Sequence, residues 1–449
     1  MNKYLFILGL VGTAFFTACS SADDLASVDP IVTPPDDQTS IAEARQDSDV
    51  PITLGVGLSR GYTRAAIGGD SDDPNPTPVS FDTEDGKYLG VFCLATGYQE
   101  SYSDPEKHPI ENNWKDDDDT GVIVRMKNVA ATVSSGNVSF NNHYYYYPIS
   151  NWMKYNFYAY YPRQEETVTI DEEVKKTISF SDNQVLEKYY EIDGSQDIIW
   201  GIADPGSAEP VASSSATNVD PYSAKYIRMK KAEEASEDDY LPKLTFKHKL
   251  VQFRFFVKAA NAAALSVIGP DGMQMKVTDM FINNAIYRLS LVVANKADES
   301  KNGLLRMMST IKTKKLGIKE KGIDKDRFRD ENGDHAVDNP LPITVDEVNV
   351  ANYPTGVGSV GYILLAPPSV SNDANFKYSL VVKVQYKAGS GTDTNSVAVS
   401  LDPPSEGFKE GKIYNIIVNV QSPEQISAKA VLDEWVTYED GQGHNYIEY

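Results

Sequence analysis

From Phe376 to Tyr386 the chain alternates without a break. Phe376, Tyr378, Leu380, Val382, Val384 and Tyr386 share one side, while Lys377, Lys383, Gln385 and Lys387 share the other. A period of two is the spacing of a strand with one face in a core and one in water. Ala388–Asn395 then reads as a turn into Val397, Val399 and Leu401, which makes a hairpin. The pattern recurs upstream. Pro51–Leu58 puts Ile52, Leu54, Val56 and Leu58 on one face, and strands are expected at Tyr88–Leu94, Gly121–Arg125, Asn137–Phe140 and Tyr155–Tyr161. Leu244, Phe246, His248 and Leu250 give way to Val251, Phe253, Phe255 and Val257, a change of parity that predicts a bulge or bend near Leu250.

With 27 Tyr, 30 Gly and 24 Pro, and helical spacing confined to Leu304, Leu305, Met308 and Ile311, the expected class is all-β with short helical insertions. A chain of 449 residues is long enough for two domains, each with its own core. The expected division is a signal segment over 1–18, a flexible tether over 19–49, an N-terminal domain over 50–242 and a C-terminal domain over 243–449, with a charged insertion at 296–339.

The 42 Lys and Arg face 64 Asp and Glu, and the formal charge of −22 repels phosphate backbones, so nucleic acid is not an expected partner. Inside the insertion Lys312, Lys314, Lys315, Lys319, Lys321 and Lys325 form a local basic cluster. It reads either as a solvated loop or as a patch for a glycan or protein partner.

The first residues read as an export signal: Lys3, then an apolar run from Tyr4 to Phe16 that is too short to span a bilayer. The run ends in Phe16-Thr17-Ala18-Cys19, where bacterial lipoprotein processing would cleave before Cys19 and acylate it. The alternative is a secreted protein cut near Ala18. The stretch to Asp49 is rich in Asp, Ser and Pro and has too little apolar surface to order itself. Acyl chains on Cys19 would anchor the protein without a membrane helix. Cys93, within Leu89-Gly90-Val91-Phe92-Cys93-Leu94, reads as a small buried hydrophobe.

No constellation for catalysis stands out. His108, His143, His248, His335 and His444 are scattered, so no catalytic residue, metal site or cofactor is expected. Asp116–Asp119 reads as a solvated acidic loop, and the EF-hand-like start at Asp330-Glu331-Asn332-Gly333-Asp334 fails at His335, where a turn Gly belongs. Tyr144–Tyr147 with Trp152 reads as cross-strand packing or as a surface for stacking sugars.

Several segments in this order resemble the fimbrillin and Mfa-like family of Bacteroidales type V pili. They are Cys19 after its apolar run, Tyr62-Thr63-Arg64-Ala65, Gly86–Phe92, Tyr147-Pro148 followed by Tyr155–Pro162, Gln196–Trp200, Leu244–Leu250, Phe408–Ile416 and Leu432–Trp435. The resemblance implies two transthyretin-like β-sandwich domains and delivery to the outer membrane as a lipoprotein. It also implies removal of the first strand by an Arg-directed protease and filling of the vacated groove by a neighbouring subunit. Arg64 fits the cleavage position, with Arg60 and Arg45 as competitors. The displaced strand would carry Ile52, Leu54, Val56 and Leu58. The expected partners are other pilus subunits, the outer membrane through the lipid on Cys19, and a host protein or glycan.

Near the C-terminus, Ile426, Ala428, Ala430, Leu432, Val436 and Tyr438 alternate along an extended stretch, interrupted at that face only by Glu434. The stretch is either a strand donated to a neighbour or the last strand of the second domain. Three roles fit this reading: a pilus subunit, a tip or accessory adhesin, and a surface glycan-binding lipoprotein that never polymerises.

Overall fold

The computed structural model describes residues 47–433 except 58–87, 99–112, 116–121, 135–136, 142, 149–152, 166, 171–172, 182–183, 204–210, 213–217, 220, 267–274, 309–312, 323, 330–339, 372 and 389–390. The chain is all-β, with two separate apolar cores.

Around the first core the strands are hydrogen-bonded into a closed ring. Its order is Ile199–Ala203, Lys243–His248, Gly55–Gly57, Asn137–Ser139, Val124–Ser134, Leu89–Tyr98 and Met153–Tyr161, which returns to Ile199–Ala203. The run Leu89, Val91, Phe92, Cys93, Leu94 and Ala95 is buried on both faces, as a continuous apolar strand should be. Gly90 interrupts it because a Cβ there would strike the Tyr160 ring. Cys93 is fully buried and burial pushes its thiol far above the ordinary range, so it packs as a hydrophobe.

A second sheet covers the ring and ties the two halves of the chain together. Ile178–Ser181 and Gln184–Glu191 come from the first half, Arg288–Asn295 and Leu305–Met307 from the second. Phe180 packs edge-on against Phe92, and the Trp200 indole donates to the Val293 carbonyl at 2.8 Å. The helical spacing read at Leu304, Leu305 and Met308 is therefore a strand preceded by a one-turn 3-10 segment, Glu299–Lys301. Leu305 pairs with Leu291 and is buried, and this contact overrides the local helical pattern.

The second core lies between two sheets. One has the order Ser359–Leu365, Val251–Ala259, Ile413–Ser422, Gln425–Asp433. The other is Thr313–Gly317, Lys276–Ile286, Ser379–Ala388, Gly391–Ser400, with Leu341–Pro342 paired on Lys276–Ile286. Tyr378, Leu380, Val382 and Val384 are buried as the alternation requires. The hairpin partner begins earlier than expected: Gly391–Ser400 pairs along its whole length, so the turn is tighter than Ala388–Asn395.

The parity change near Leu250 marks a passage between cores. Lys243–His248 belongs to the ring and Leu250 to its core, whereas Val251 opens a strand of the sandwich. The apolar face switches because the chain leaves one interior for another. Lys243–His248, expected to open the C-terminal domain, pairs with strands of the ring. The insertion at 296–339 also splits, with Leu305–Met307 joining the bridging sheet and Thr313–Gly317 the sandwich. At the crossing, the His248 ring is hydrogen-bonded to the Asp197 carboxylate, whose other oxygen accepts from the Ile198 amide at 2.8 Å.

Candidate assembly interface

The segment from Asp47 to Gly57 closes the ring. Asp47–Pro51 runs antiparallel to Tyr146–Pro148, and the Ile52 amide continues the contact by donating to the Tyr145 carbonyl at 2.7 Å. Gly55–Gly57 then lies between two strands, parallel to Lys243–Thr245 on one side and meeting Asn137 on the other. Two more backbone bonds hold it there: Gly55 N–H to the Pro242 carbonyl at 2.9 Å, and Val138 N–H to the Leu54 carbonyl at 3.1 Å. In the order of the ring, these three residues form the link between Lys243–His248 and Asn137–Ser139.

Side chains add to this closure. Ser48, Val50, Ile52 and Leu54 point inward and are buried, while Asp47, Asp49 and Thr53 point out. Val56 is half-buried against the same core. Burying Val, Ile or Leu side chains is worth about 1.5–3 kcal/mol each, so the inward row holds the segment more firmly than its few ladder bonds do. Outside, Asp47 pairs with Arg125 and Asp49 with Arg228, and Arg125 Nε donates to the Tyr146 carbonyl at 2.7 Å. Arg228 comes from the helix Ala224–Ala232, capped by the Ser223 hydroxyl accepting from the Tyr226 amide at 3.2 Å.

The sequence placed Ile52, Leu54 and Val56 correctly on one face. Residues 47–49, expected to belong to the tether, are part of the strand Asp47–Pro51, where Ser48 is small enough to sit inside and both flanking acids find arginines. The readable signal was the alternation Asp47, Ser48, Asp49, Val50; the partners Arg125 and Arg228 were not legible. Leu58, the proposed cleavage residues Arg45, Arg60 and Arg64, and the lipidation residue Cys19 lie outside the described residues.

At the other end, Gln425–Asp433 pairs antiparallel with Ile413–Ser422, with Val420 opposite Ile426, Val418 opposite Ala428, Ile416 opposite Ala430 and Tyr414 opposite Leu432. Among the described residues it is the outermost strand of its sheet. Ile426, Ala428 and Ala430 pack on the second core, but Leu432 is 50% exposed. Asp433 is held by Arg254 at 3.3 Å and by the Asn415 amide at 3.0 Å. Val436 and Tyr438 lie outside the described residues.

The remaining candidates fall elsewhere. Tyr147 is a core residue, Tyr145 and Tyr146 are half-buried, and of Tyr144–Tyr147 only Tyr144 is exposed; Trp152 lies outside the described residues. Among the described residues no group of His, Cys, Asp and Glu could hold a metal ion; Asp116–Asp119 and Asp330–His335 lie outside them. No described helix is long and apolar enough to cross a membrane.

No protein-family model matches the chain, and no curated protein matches it. Solved structures do. A candidate cell adhesion protein of Bacteroides uniformis is 12% identical with a TM-score of 0.39, the match covering 86% of this chain and 99% of that one. Another from Parabacteroides distasonis is 7% identical with a TM-score of 0.42, covering 88% and 100%. The tip fimbrial protein Mfa3 of Porphyromonas gingivalis, solved with a C-terminal truncation, is 8% identical with a TM-score of 0.34, covering 86% and 100%. These three solved structures are named for cell adhesion and for fimbriae.

Proposed function

We propose that this chain is a structural subunit or tip adhesin of a surface pilus, exported as an outer-membrane lipoprotein through Cys19 and assembled by protease-activated strand exchange. Its role is structural and adhesive, without catalysis. The observation that carries the reading is the closure of a β-ring by a short segment at the start of the described chain.

Removing that segment would leave two strand edges, Lys243–His248 and Asn137–Ser139, without their partner, together with the slots vacated by Val50, Ile52 and Leu54. Unpaired edges beside apolar slots are what a strand from another chain can fill. Position in the chain discriminates among the arginines. Cleavage after Arg45 would leave the closing segment in place, whereas cleavage after Arg60 or Arg64 would free it from everything downstream. Arg64 remains the preferred position. The C-terminal stretch from Ile426 to Tyr438 has a period of two broken on its apolar face only by Glu434, and its described part, Gln425–Asp433, would detach from the one strand it pairs with, Ile413–Ser422.

The test is incubation of the purified precursor with an Arg-specific protease followed by electron microscopy. Fibres or ladders of oligomers should form after cleavage, and Arg64→Ala should remain an uncleaved monomer. Truncation after Ser422 should give a cleavable subunit that cannot extend a fibre. Cleaved protein that stays monomeric overturns the pilus reading; truncated protein that still polymerises overturns the C-terminal donor alone. For the anchor, Cys19→Ala should release the protein from membranes and abolish acyl labelling, and unchanged membrane retention would count against lipidation.

A further inference from the structure

The outer face of the five-stranded side of the sandwich carries a cluster of cations that the assembly reading does not use. Met280, Ile282, Leu380 and Val382 point into the core, so the alternate pairs Asp279 with Lys383 and Phe281 with Val381 face outward. On the adjoining strand Gly317 lies opposite Phe281, which puts Lys315 on the same face.

Three cations gather there. Lys315 Nζ lies 3.6 Å from the centre of the Phe281 ring, the Arg329 guanidinium carbon 5.2 Å and Lys383 Nζ 5.9 Å. Asp279 fixes two of them, with one oxygen 3.2 Å from Arg329 and 3.1 Å from Lys383. A second carboxylate, Asp326, sits over Gly317 and pairs with Lys319 at 2.8 Å. Lys315 is exposed and has no carboxylate partner among the described residues. Its ammonium pKa is lowered, first by burial and then by Arg329, with Asp279 acting in the opposite sense and Lys383 adding to the drop. An anion beside Lys315 would offset that repulsion.

Neutral hydrogen-bonding groups flank the cluster. Ser396 stands opposite Lys383, Thr394 opposite Gln385 and Thr392 opposite Lys387, and all three hydroxyl residues are exposed. We propose that Lys315, Arg329 and Lys383 form a binding site for an acidic glycan, one whose isolated sulfate or carboxylate groups are separated by neutral sugar hydroxyls. The molecule's overall charge selects this class. A continuous polyanion such as nucleic acid needs a run of cations along its backbone, and a net charge of −22 repels it outside this small face. A glycan with acidic groups spaced by neutral sugars meets less of this repulsion, because one group seated at Lys315, with hydroxyls meeting Ser396 and Thr394, needs only this small face.

The cluster uses neither the closing segment nor the last strand, so its test needs no polymerisation and its failure leaves the pilus reading standing. Purified uncleaved protein is titrated calorimetrically at low ionic strength with chondroitin sulfate, hyaluronan and neutral dextran. Chondroitin sulfate, hyaluronan or both should bind, dextran should not, and affinity should fall as salt is added. Chondroitin sulfate alone would assign the site to sulfate, and hyaluronan as well would assign it to carboxylate. Lys315→Gln removes an exposed side chain without breaking an ion pair, so its melting curve should match the parent while affinity drops about tenfold. Lys301→Gln, on the bridging sheet's turn, should change nothing. The site is disproved if neither acidic glycan binds, if dextran binds as well as they do, or if Lys315→Gln binds like the parent. Tighter binding of single-stranded DNA or phosphatidylglycerol vesicles would equally reject it.

Discussion

In the ring, the closing segment makes few ladder bonds but buries Val50, Ile52 and Leu54. In the sandwich, the last described strand makes a long ladder with Ile413–Ser422, unbroken from Ile413 to Val420, yet its inward residues Ile426, Ala428 and Ala430 are only partly buried. One edge is held by side chains and the other by backbone. A segment held by side chains leaves deep empty slots when it goes, whereas a strand held by backbone leaves a core that is still mostly covered. The two ends of the chain therefore differ in what their removal would expose, and substitutions can test that difference.

The largest effect should come from Leu54→Ala, which empties a fully buried position and is expected to cost about 2–5 kcal/mol in denaturant unfolding. Ile426→Ala, on the partly covered strand, should cost about 1 kcal/mol less than the lower end of that range. Equal losses at the two positions would break the comparison. Next is the crossing between the cores, where Asp197→Ala takes the carboxylate from the buried His248 ring and from the Ile198 amide. A loss of about 1–3 kcal/mol is expected, felt by both cores in one transition. Two separated transitions in calorimetry would show that ring and sandwich unfold independently.

Smaller still is Asp49→Ala, which removes an outward ion pair with Arg228 and should cost under about 1 kcal/mol. The smallest effect concerns pH at the turn linking the two regions, where the Gly194 carbonyl accepts from the Leu364 amide at 2.7 Å. Burial raises the pKa of Asp193, but hydrogen bonds from the Ser195 amide and hydroxyl, the charge of Lys319 and the Gln196 amide outweigh it, and the net shift is downward. A lowered carboxyl pKa contributes stability that is present above the unfolded value and lost as pH falls through the folded one. Asp193→Asn should therefore be slightly less stable than the parent at neutral pH, and the gap should close below about pH 4. A gap that persisted unchanged in acid would remove this contribution.

Much of the fold was legible because its strands are amphipathic. The alternation from Tyr378 to Val384 and the inward set Ile52 and Leu54 follow directly from period two. What stayed hidden depends on partners far away in sequence. Nothing local in Gly55-Val56-Gly57 announces a parallel pairing with Lys243–Thr245, and nothing in Leu305 announces Leu291 on a bridging sheet. The parity change at Leu250 was visible, but a bulge and a passage between cores produce the same pattern. The basic run in the insertion was also visible, yet the structure disperses it. Lys319 goes to Asp326, Lys321 lies over the Tyr353 ring, and Lys315 joins Arg329 and Lys383 from other segments.

The ring's closing residues are made early, and the strand they lie parallel to is made late. Gly55–Gly57 cannot complete the ring until Lys243–Thr245 have left the ribosome, after everything between them has been synthesised. At roughly 5–20 residues per second this delay is on the order of ten seconds or more, long beside the microseconds in which a local hairpin forms. Throughout that interval the N-terminal unit cannot finish folding, however favourable its core. If the chain is exported as proposed, its strand order would give it that interval in which to cross a membrane unfolded.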